Sequence, residues 1–198
     1  MTLLDRTAPE TFRERSTPVL ETERLVLRAP RLEDATAIAT LANDRRIAEN
    51  TLRIPHPYAV ADARAFLASA GATDDELVLL ITARSGGAVL GACGIAKLDG
   101  EQREIGYWLG VPFWGRGYAT EAARAVIDHA FGDLGYEHLL GGARVSNPAS
   151  RRVLEKCGFQ WTGVGLYRIR ALKSSAPIDR FRLDRGLWAS LKNWGRVT

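Results

Sequence analysis

The sequence contains few cysteines and no long hydrophobic segment. Cys93, in a strand pattern, and Cys157, in a helix pattern, are its two cysteines, which argues against a disulfide framework or a zinc site. We expect both to be small buried side chains and no metal to be bound. The apolar runs fall far short of the roughly 20 residues that cross a bilayer, and the polar N-terminus lacks the hydrophobic stretch of a signal peptide. These absences predict a cytoplasmic protein without a membrane partner.

The sequence also lacks a cluster of like charges. Its formal net charge is +4, and the basic residues are scattered instead of forming the stripe that is typical of a nucleic-acid-binding surface. We therefore expect no specific nucleic-acid partner, whereas a polyanionic cofactor would suit this charge. Gly-Lys-Ser and Gly-Lys-Thr do not occur, which excludes a P-loop.

The length and composition predict one globular domain. A chain of 198 residues with a hydrophobic fraction of 46% can bury a full core. Residues 1–19 are mostly polar and show no hydrophobic period, so they are interpreted as an N-terminal extension. The domain is then expected to span residues 20–198.

Hydrophobic periodicity predicts the order of the elements. A strand containing Leu25 and Leu27 comes first, and two helices follow, one beginning near Leu32 that buries Ile38 and Leu41, the other over residues 60–70. Next come three antiparallel strands joined by turns at residues 85–87 and 99–100, and then a helix, a strand at 139–145, a helix at Pro148–Lys156 and strands near 159–164 and 179–185. The expected fold class is α+β, with a single mostly antiparallel mixed sheet of about seven strands flanked by about four helices.

A glycine-rich turn joins the third of these antiparallel strands to the next helix. The strand spans Arg103–Leu109, and the turn contains Gly115 and Gly117. The helix carries one apolar stripe, which consists of Ala119, Ala122, Ala123, Val126, Ile127, Ala130 and Phe131. Both glycines therefore precede a helix N-terminus, where backbone N–H groups have no partner within the helix and the helix dipole is positive. Such an end can bind a pyrophosphate, although the glycines can equally serve only to form a tight turn.

The turn resembles the acyl-CoA loop of the GNAT N-acetyltransferase superfamily. That loop has Arg or Gln, two residues, Gly, one residue, and then Gly or Ala; here the string is Trp114, Gly115, Arg116, Gly117, Tyr118 and Ala119. Trp114 replaces Arg or Gln, so the resemblance implies a backbone cradle more than a side-chain contact. It implies that acetyl-CoA is the cosubstrate, bound by these six residues and Thr120.

Further motifs resemble the RimJ/RimL-like branch of this superfamily, which is named for acetyltransferases of ribosomal-protein N-termini. These strings are ETERLVLRAPRLEDA at the first strand, PHPY at residues 55–58, EIGYWLG at 104–110 and NPASRRVLEKCGF at the last helix. They occur in the order of the family and agree with the predicted elements. The resemblance implies a GNAT acetyltransferase domain over residues 20–198.

Two candidate residues lie at the start of the last predicted helix. Asn147 precedes Pro148 and is therefore suited to cap the helix. Ser150 shares the inward face with Val153, Leu154 and Cys157, because these positions follow it at steps of three, four and seven. Each has an ordinary explanation, as a cap and as a satisfied core hydroxyl. The resemblance implies instead that Asn147 contacts the pantetheine arm and that Ser150 lies near the thiol.

The strand before the glycine-rich turn supplies a candidate base and candidate backbone donors. Glu104 is a carboxylate in an otherwise apolar run, and burial would raise its pKa toward that of a useful base; the alternative is an exposed charge beside Arg103. The resemblance implies that it accepts the proton of the amine. The backbone of Leu109, Gly110 and Val111 is expected to leave N–H groups free for the pantetheine and the thioester, because the strand should diverge there.

His56 and Tyr58 are the candidate residues of the acceptor pocket. Both lie in the PHPY segment, which borders that pocket in the resembled fold, although a proline-locked surface turn is an equally ordinary reading of His56. No motif in the sequence identifies the acceptor. The oligomeric state, a homodimer included, is also left open.

The expected function is acetyl transfer from acetyl-CoA to a primary amine. The acceptor is expected to be the α-amino group of a protein N-terminus or of an amino-acid-like small molecule. The alternatives are an acetyltransferase of a small amine such as an amino sugar or polyamine, a non-catalytic acyl-CoA-binding module, and an RNA-associated protein of the translation apparatus. Retention of Glu104 and Ser150 argues against the non-catalytic module.

Overall fold

The computed structural model describes residues 17–70, 76–98 and 102–194. The first 16 residues of the predicted N-terminal extension and the predicted turn at residues 99–100 lie outside the described residues. Within the described part, no helix is long and apolar enough to cross a membrane.

The described residues form eight strands and six α-helices. The strands are β1 (Leu20–Glu21), β2 (Leu25–Arg28), β3 (Glu76–Ala83), β4 (Val89–Lys97), β5 (Arg103–Leu109), β6 (His138–Arg144), β7 (Gln160–Ile169) and β8 (Ser174–Asp184). The helices are α1 (Ala35–Ala42), α2 (Arg45–Ala48), α3 (Val60–Ser69), α4 (Tyr118–Gly132), α5 (Pro148–Lys156) and α6 (Arg185–Trp194), with short 3₁₀ turns at Leu32–Asp34 and Val111–Phe113.

All eight strands belong to one sheet in the order β1-β2-β3-β4-β5-β6-β8-β7. Every neighbouring pair is antiparallel except β5 and β6, which are parallel. This confirms the α+β prediction of one mostly antiparallel mixed sheet. The prediction missed β1, which has only two residues, α2, which is a single turn, and α6, which has no fully buried residue to mark a stripe.

Helices cover both faces of the sheet and bury a core on each. On one face, α4 packs against β2, β4 and β5 through a stripe in which Ala122, Val126, Ala130 and their neighbours are buried. Ala119, at the start of that stripe, is half-buried. On the other face, α1 and α3 bury a smaller cluster around Ile38. Of the two cysteines, Cys93 is buried as expected, whereas Cys157 is half-buried.

The parallel strands β5 and β6 stay together over a short distance only. Their register consists of Glu104 opposite Leu140 and Ile105 opposite Gly141, and no further pair joins them in the described part of the chain. Beyond Ile105 the two strands therefore diverge. The glycine-rich turn and α4 follow β5 at this opening, and α5 follows β6, so the divergence brings two helix N-termini to the same place.

Candidate functional site

A cavity of about 420 Å³ lies at the opening between β5 and β6. Most of the residues predicted to bind a cofactor line it, namely Leu109, Trp114, Gly115, Gly117, Tyr118, Ala119, Thr120, Asn147 and Ser150. Gly110, Val111 and Arg116 do not line it. The structure thus brings the glycine-rich turn and the start of α5 together around one space, although they are separated by about one-sixth of the chain.

The N-terminus of α4 opens directly onto this cavity. Gly117 is its N-cap residue and leaves the end without a side-chain cap. The first backbone bond of the helix runs from the N–H of Glu121 to the carbonyl oxygen of Gly117, at 3.0 Å. The N–H groups of Tyr118, Ala119 and Thr120 therefore have no partner within the helix, and all three residues line the cavity. Their position and the positive end of the helix dipole suit a phosphate group.

The two glycines of the turn contribute in different ways. Both have left-handed backbone angles, with φ of +74° at Gly115 and +81° at Gly117, a region that favours glycine strongly. A Cβ atom added at Gly115 would meet nothing within 4 Å, so the main chain there is open to a ligand. A Cβ atom at Gly117 would instead lie 3.4 Å from Nη2 of Arg24. Gly117 is therefore needed for its backbone angle. Gly115 is the position where a ligand can approach the main chain closely.

Glu121, in the first turn of α4, holds that helix end against β2. Its carboxylate accepts hydrogen bonds from the hydroxyl of Thr22 (2.6 Å) and from Nε of Arg24 (2.7 Å). Burial opposes ionisation, but these bonds outweigh it and lower the pKa of Glu121. Arg24 also donates to the carbonyl oxygen of Arg116 at 3.0 Å, which fixes the turn from behind. Glu121 thus has a structural role, and its charge is balanced by Arg24.

Three cationic side chains line the cavity: Arg46, Arg152 and Lys156. The sequence did not reveal them, because they are separated along the chain and form no basic motif. The guanidinium of Arg46 lies 5.9 Å from the ring centre of Trp114, the residue that replaces the Arg or Gln of the acyl-CoA loop. The indole N–H of Trp114 donates to the carbonyl oxygen of Leu109 at 2.8 Å. Trp114 therefore stabilises the turn. Arg46 lies next to it, and its guanidinium is paired with the carboxylate of Asp44 at 2.7 Å.

The backbone donors of β5 differ from the expectation at one position. The N–H of Gly110 donates to the carbonyl oxygen of Leu90 at 2.8 Å, so it is not available to a ligand. Hydrogen bonds to one neighbour alternate along an antiparallel strand, and the N–H groups of Tyr107 and Leu109 consequently point towards β6. Because β6 has diverged at that level, these two are the donors of β5 that face the opening.

The start of α5 combines a helix cap with a polar pair. Oδ1 of Asn147 accepts the N–H of Ser150 at 3.1 Å, which confirms Asn147 as the cap. The hydroxyl oxygen of Tyr107 lies 3.1 Å from that of Ser150, and Tyr107 donates to the carbonyl oxygen of Ser150 at 3.0 Å. Burial raises the pKa of Tyr107. Tyr107 therefore stays protonated. Either hydroxyl of the pair can be the donor, and when Tyr107 donates to the hydroxyl oxygen of Ser150, the proton of Ser150 is free for another acceptor.

Tyr107 is a further site residue that was not predicted from the sequence. It lies on the same strand face as Ile105 and Leu109, both of which are buried. A tyrosine that alternates with two core residues, in the strand that precedes the glycine-rich turn, could have indicated a polar group at the site. The pair formed by Tyr107 and Ser150 lines the cavity, so its hydroxyl groups can form hydrogen bonds to a ligand there.

We expect Ser150→Ala to lower turnover about tenfold, because a hydrogen bond that stabilises a charged group is lost. Tyr107→Phe should have a similar effect, since it removes the partner that orients the Ser150 hydroxyl, and the double variant should lose little more. Steady-state rates at saturating cosubstrate, with thermal unfolding of each variant, test this. If instead stability falls while activity is retained, the pair is only a core hydrogen bond.

Glu104 lies on the opposite face of β5 from Tyr107 and does not line the cavity. Arg180 of β8 donates to its two carboxylate oxygens at 3.2 and 3.1 Å, and both side chains are 16% exposed. The expectation of a carboxylate isolated in apolar surroundings is thereby corrected. A Cβ atom at Gly142 would lie 3.0 Å from Oε1 of Glu104, so this glycine makes room for the ion pair.

The sheet surface next to Glu104 is bare. Gly106, two residues further along β5, is exposed, and a Cβ atom there would meet nothing within 4 Å. Glu104 thus lies beside the open surface at Gly106 on one face of β5, while Tyr107, on the other face, and Ser150 line the cavity. Groups that could accept and donate a proton lie on the two sides of one strand.

His56 and Tyr58 do not share a site. Tyr58 is 8% exposed and packs in the core cluster beneath α1 and α3, and it lines neither this cavity nor the second one described below. Its prediction as a substrate-binding residue is corrected, because an aromatic ring following two prolines serves here to anchor the segment. His56 is exposed and lines a second cavity of about 550 Å³.

Comparison with known proteins identifies the family. Residues 24–160 match the sequence model of the acetyltransferase (GNAT) domain. The chain belongs to this family. The N-acetyltransferase YoaA of Bacillus subtilis strain 168 is 31% identical to it over 153 residues, which cover 74% of this chain and 85% of YoaA.

Solved structures show the same fold. RimJ of Mycobacterium smegmatis in complex with CoA-disulfide has a TM-score of 0.71 and 21% identity, and the match covers 81% of each chain. The microcin C7 self-immunity acetyltransferase MccE, in complex with acetyl-CoA and AMP, has a TM-score of 0.72 and 21% identity, with 82% of this chain and 93% of MccE covered. The GNAT fold predicted from the sequence is thus confirmed, with eight strands where about seven were expected.

Proposed function

We propose that this GNAT protein acetylates an α-amino group, on a protein N-terminus or an amino-acid-like small molecule, with acetyl-CoA as the cosubstrate. The observation that carries the proposal is the uncapped N-terminus of α4, whose free N–H groups line the cavity between the diverging strands. Acetyl-CoA supplies the activated acetyl thioester. Its pyrophosphate fits the N–H groups of Tyr118, Ala119 and Thr120, and its other phosphate fits the cationic side chains nearby.

The residues around the cavity divide the remaining tasks. In our proposal the backbone N–H of Leu109 polarises the thioester carbonyl, as an oxyanion donor does. The amine nitrogen forms a bond to the carbonyl carbon, the carbon–sulfur bond breaks, and the amine loses one proton, which Glu104 takes directly or through water. The hydroxyl of Ser150, oriented by Tyr107, donates a hydrogen bond to the sulfur as it leaves as a thiolate, and the thiolate then takes up its proton from water. Asn147 lines the cavity beside this pair and contacts the pantetheine arm.

Two arguments favour an α-amino acceptor. The sequence motifs resemble the RimJ/RimL-like branch, and the structure of RimJ is among the similar folds. In addition, our proposal uses one carboxylate, Glu104, as the base. A single weak base is enough only for an amine that loses its proton easily. An α-amino group has a pKa of about 8 and a lysine amine one of about 10.4, so at neutral pH the α-amine is neutral roughly 200-fold more often.

A matched pair of peptides tests this acceptor assignment. One peptide has a free N-terminus and a blocked lysine, and the other has an acetylated N-terminus and a free lysine. We expect the first to be acetylated at least about tenfold faster, because more of its amine is neutral; release of free thiol from acetyl-CoA is the measurement. Faster modification of the lysine peptide would overturn the assignment.

Two further outcomes separate the alternatives. Turnover of neither peptide, with rapid acetylation of an amino sugar or polyamine, would indicate a small-molecule acetyltransferase. Tight binding of acetyl-CoA without transfer to any amine would indicate a non-catalytic module.

A further inference from the structure

The second cavity has a strongly cationic wall. It lies between the segment with Leu52, Pro55 and His56 and the end of the β7–β8 hairpin, which contributes Arg168, Arg170 and Lys173. Ala171 also lines it. We call this cavity, with these seven residues, the cationic recess. No carboxylate is among the described residues that line it.

The three cations of the recess are not paired with an acidic side chain of the described residues. Other arginines of the protein form ion pairs, as Arg180 does with Glu104 at 3.1 Å and Arg53 with Glu76 at 3.0 Å. Arg168, Arg170 and Lys173, by contrast, make no side-chain ion pair or hydrogen bond in the part of the chain that the structure describes. Three positive charges around one cavity of about 550 Å³ create a local positive potential, which favours the binding of an anion.

The recess adjoins the candidate active site. Asn50 and Thr51 line the first cavity, and the next residue along the chain, Leu52, lines the recess. The carbonyl oxygen of Leu52 accepts the N–H of Arg170 at 3.1 Å, which ties the hairpin to this segment. One stretch of chain, residues 50–52, thus lines both cavities. Arg180 provides a second connection, because it bonds Glu104 and lies 5.0 Å from the ring centre of Tyr167, the neighbour of Arg168.

We infer that the cationic recess binds an anionic group of the acceptor and thereby selects acceptors that carry a negative charge near the amine. This inference rests on the proposed function, which it deepens by naming a substrate class. The planar guanidinium of an arginine can bind a carboxylate or a phosphate with two parallel hydrogen bonds, and an adjacent lysine adds charge without a fixed geometry. The shared chemistry is therefore an oxyanion, from an acidic side chain or from a phosphate ester.

The test compares peptides that differ only in charge and its position. Each has a free N-terminal alanine, no lysine and glutamine at the remaining positions, with one glutamate placed at the second, third, fourth or fifth residue. Successive positions shift the carboxylate by about 3.3 Å in an extended chain. A further set carries phosphoserine instead of glutamate and distinguishes the two sources of the anion. We expect one position to raise kcat/KM about tenfold over the all-glutamine peptide, through KM.

Charge-removing variants locate the effect. Arg170→Gln and the triple variant Arg168→Gln, Arg170→Gln, Lys173→Gln should lose the preference and keep the kcat/KM of the all-glutamine peptide. Arg64→Gln is the matched control, because Arg64 is an exposed arginine of α3 outside both cavities; it should retain the preference. If the wild type shows no preference, or the triple variant keeps it, the inference is wrong while α-amino acetylation still stands.

A binding measurement makes the outcome independent of catalysis. The N-acetylated forms of the same peptides are titrated into the protein and followed by calorimetry. Tighter binding of an acidic peptide that is lost in the triple variant would support the recess even if no peptide were acetylated, in which case the proposed acceptor class would be the part that fails. Equal binding of acidic and all-glutamine peptides would overturn the recess.

Discussion

Replacing Gly117 by valine is expected to reduce the affinity for acetyl-CoA at least about 100-fold, which corresponds to about 2.7 kcal/mol. Gly117 has φ of +81°, and a β-branched residue is strongly disfavoured in that region. The turn must therefore change its path. The N–H groups of Tyr118, Ala119 and Thr120 would then no longer converge on the cavity, and the helix end would lose its fit to a phosphate.

Gly86 offers a matched control for this variant. It lies between β3 and β4, far from the cavity in sequence, and its φ of +82° is almost the same. A Cβ atom there would meet nothing within 4 Å. Gly86→Val should cost similar stability, because the backbone penalty is the same, and should leave the affinity unchanged. Calorimetry with acetyl-CoA and thermal unfolding of both variants give the comparison; unchanged affinity in a folded Gly117→Val protein would remove the basis of the proposed cofactor site.

Glu104→Gln is expected to lower turnover about 100-fold or more, since general base catalysis contributes on that scale. The affinity for acetyl-CoA should stay the same, because Glu104 does not line the cavity. The acidic limb of the pH–rate profile should also change, because glutamine cannot accept the amine proton.

The ion pair with Arg180 requires a control. Removing one partner of a half-buried pair leaves the other charge uncompensated, and stability alone can then fall. Arg180→Gln breaks the same pair but keeps the carboxylate. If Glu104 is the base, Arg180→Gln should retain much more activity than Glu104→Gln at comparable loss of stability. Equal activities of the two variants, or wild-type turnover in Glu104→Gln, would assign Glu104 a structural role.

The sequence predicted those parts of the fold that depend on local pattern. The bounds of β5 and α5 agree with the structure to the residue, because a hydrophobic run ended by Gly-Val-Pro and an Asn-Pro cap define them. The apolar stripe of α4 also depends only on the spacing of residues within one helix. By contrast, Leu41 was predicted to be buried but is only half-buried, because its side chain lies at Gly110 near the open end of the sheet. Such a contact depends on the path of distant strands.

The residues of the site could be predicted only where they belong to one continuous sequence motif. Gly115, Gly117 and the first turn of α4 come from one continuous string, and the structure places them together at the cavity. Arg46 and Tyr107 come from other elements, and their proximity to Trp114 and Ser150 depends on how α2 and α5 pack. The ion pair of Glu104 with Arg180 joins residues 76 positions apart. No short-range pattern predicts such a partner, and for this reason the surroundings of Glu104 differ from the expectation.

The short register between β5 and β6 has a consequence for how the molecule responds to its ligand. In the described part of the chain, two residue pairs join β5 to β6 and with them the N-terminal and C-terminal parts of the sheet, as few as join the short edge strand β1 to β2. A ligand held between the start of α4, on one part, and the start of α5, on the other, would bridge them. The bound ligand would then hold the two parts of the sheet together, and the stability of the folded protein would rise with ligand concentration. Hydrogen exchange of the backbone amides at the ends of β5 and β6 would then be slower with the ligand bound. Elsewhere in the sheet, where each part has its own core, the exchange rates should change less.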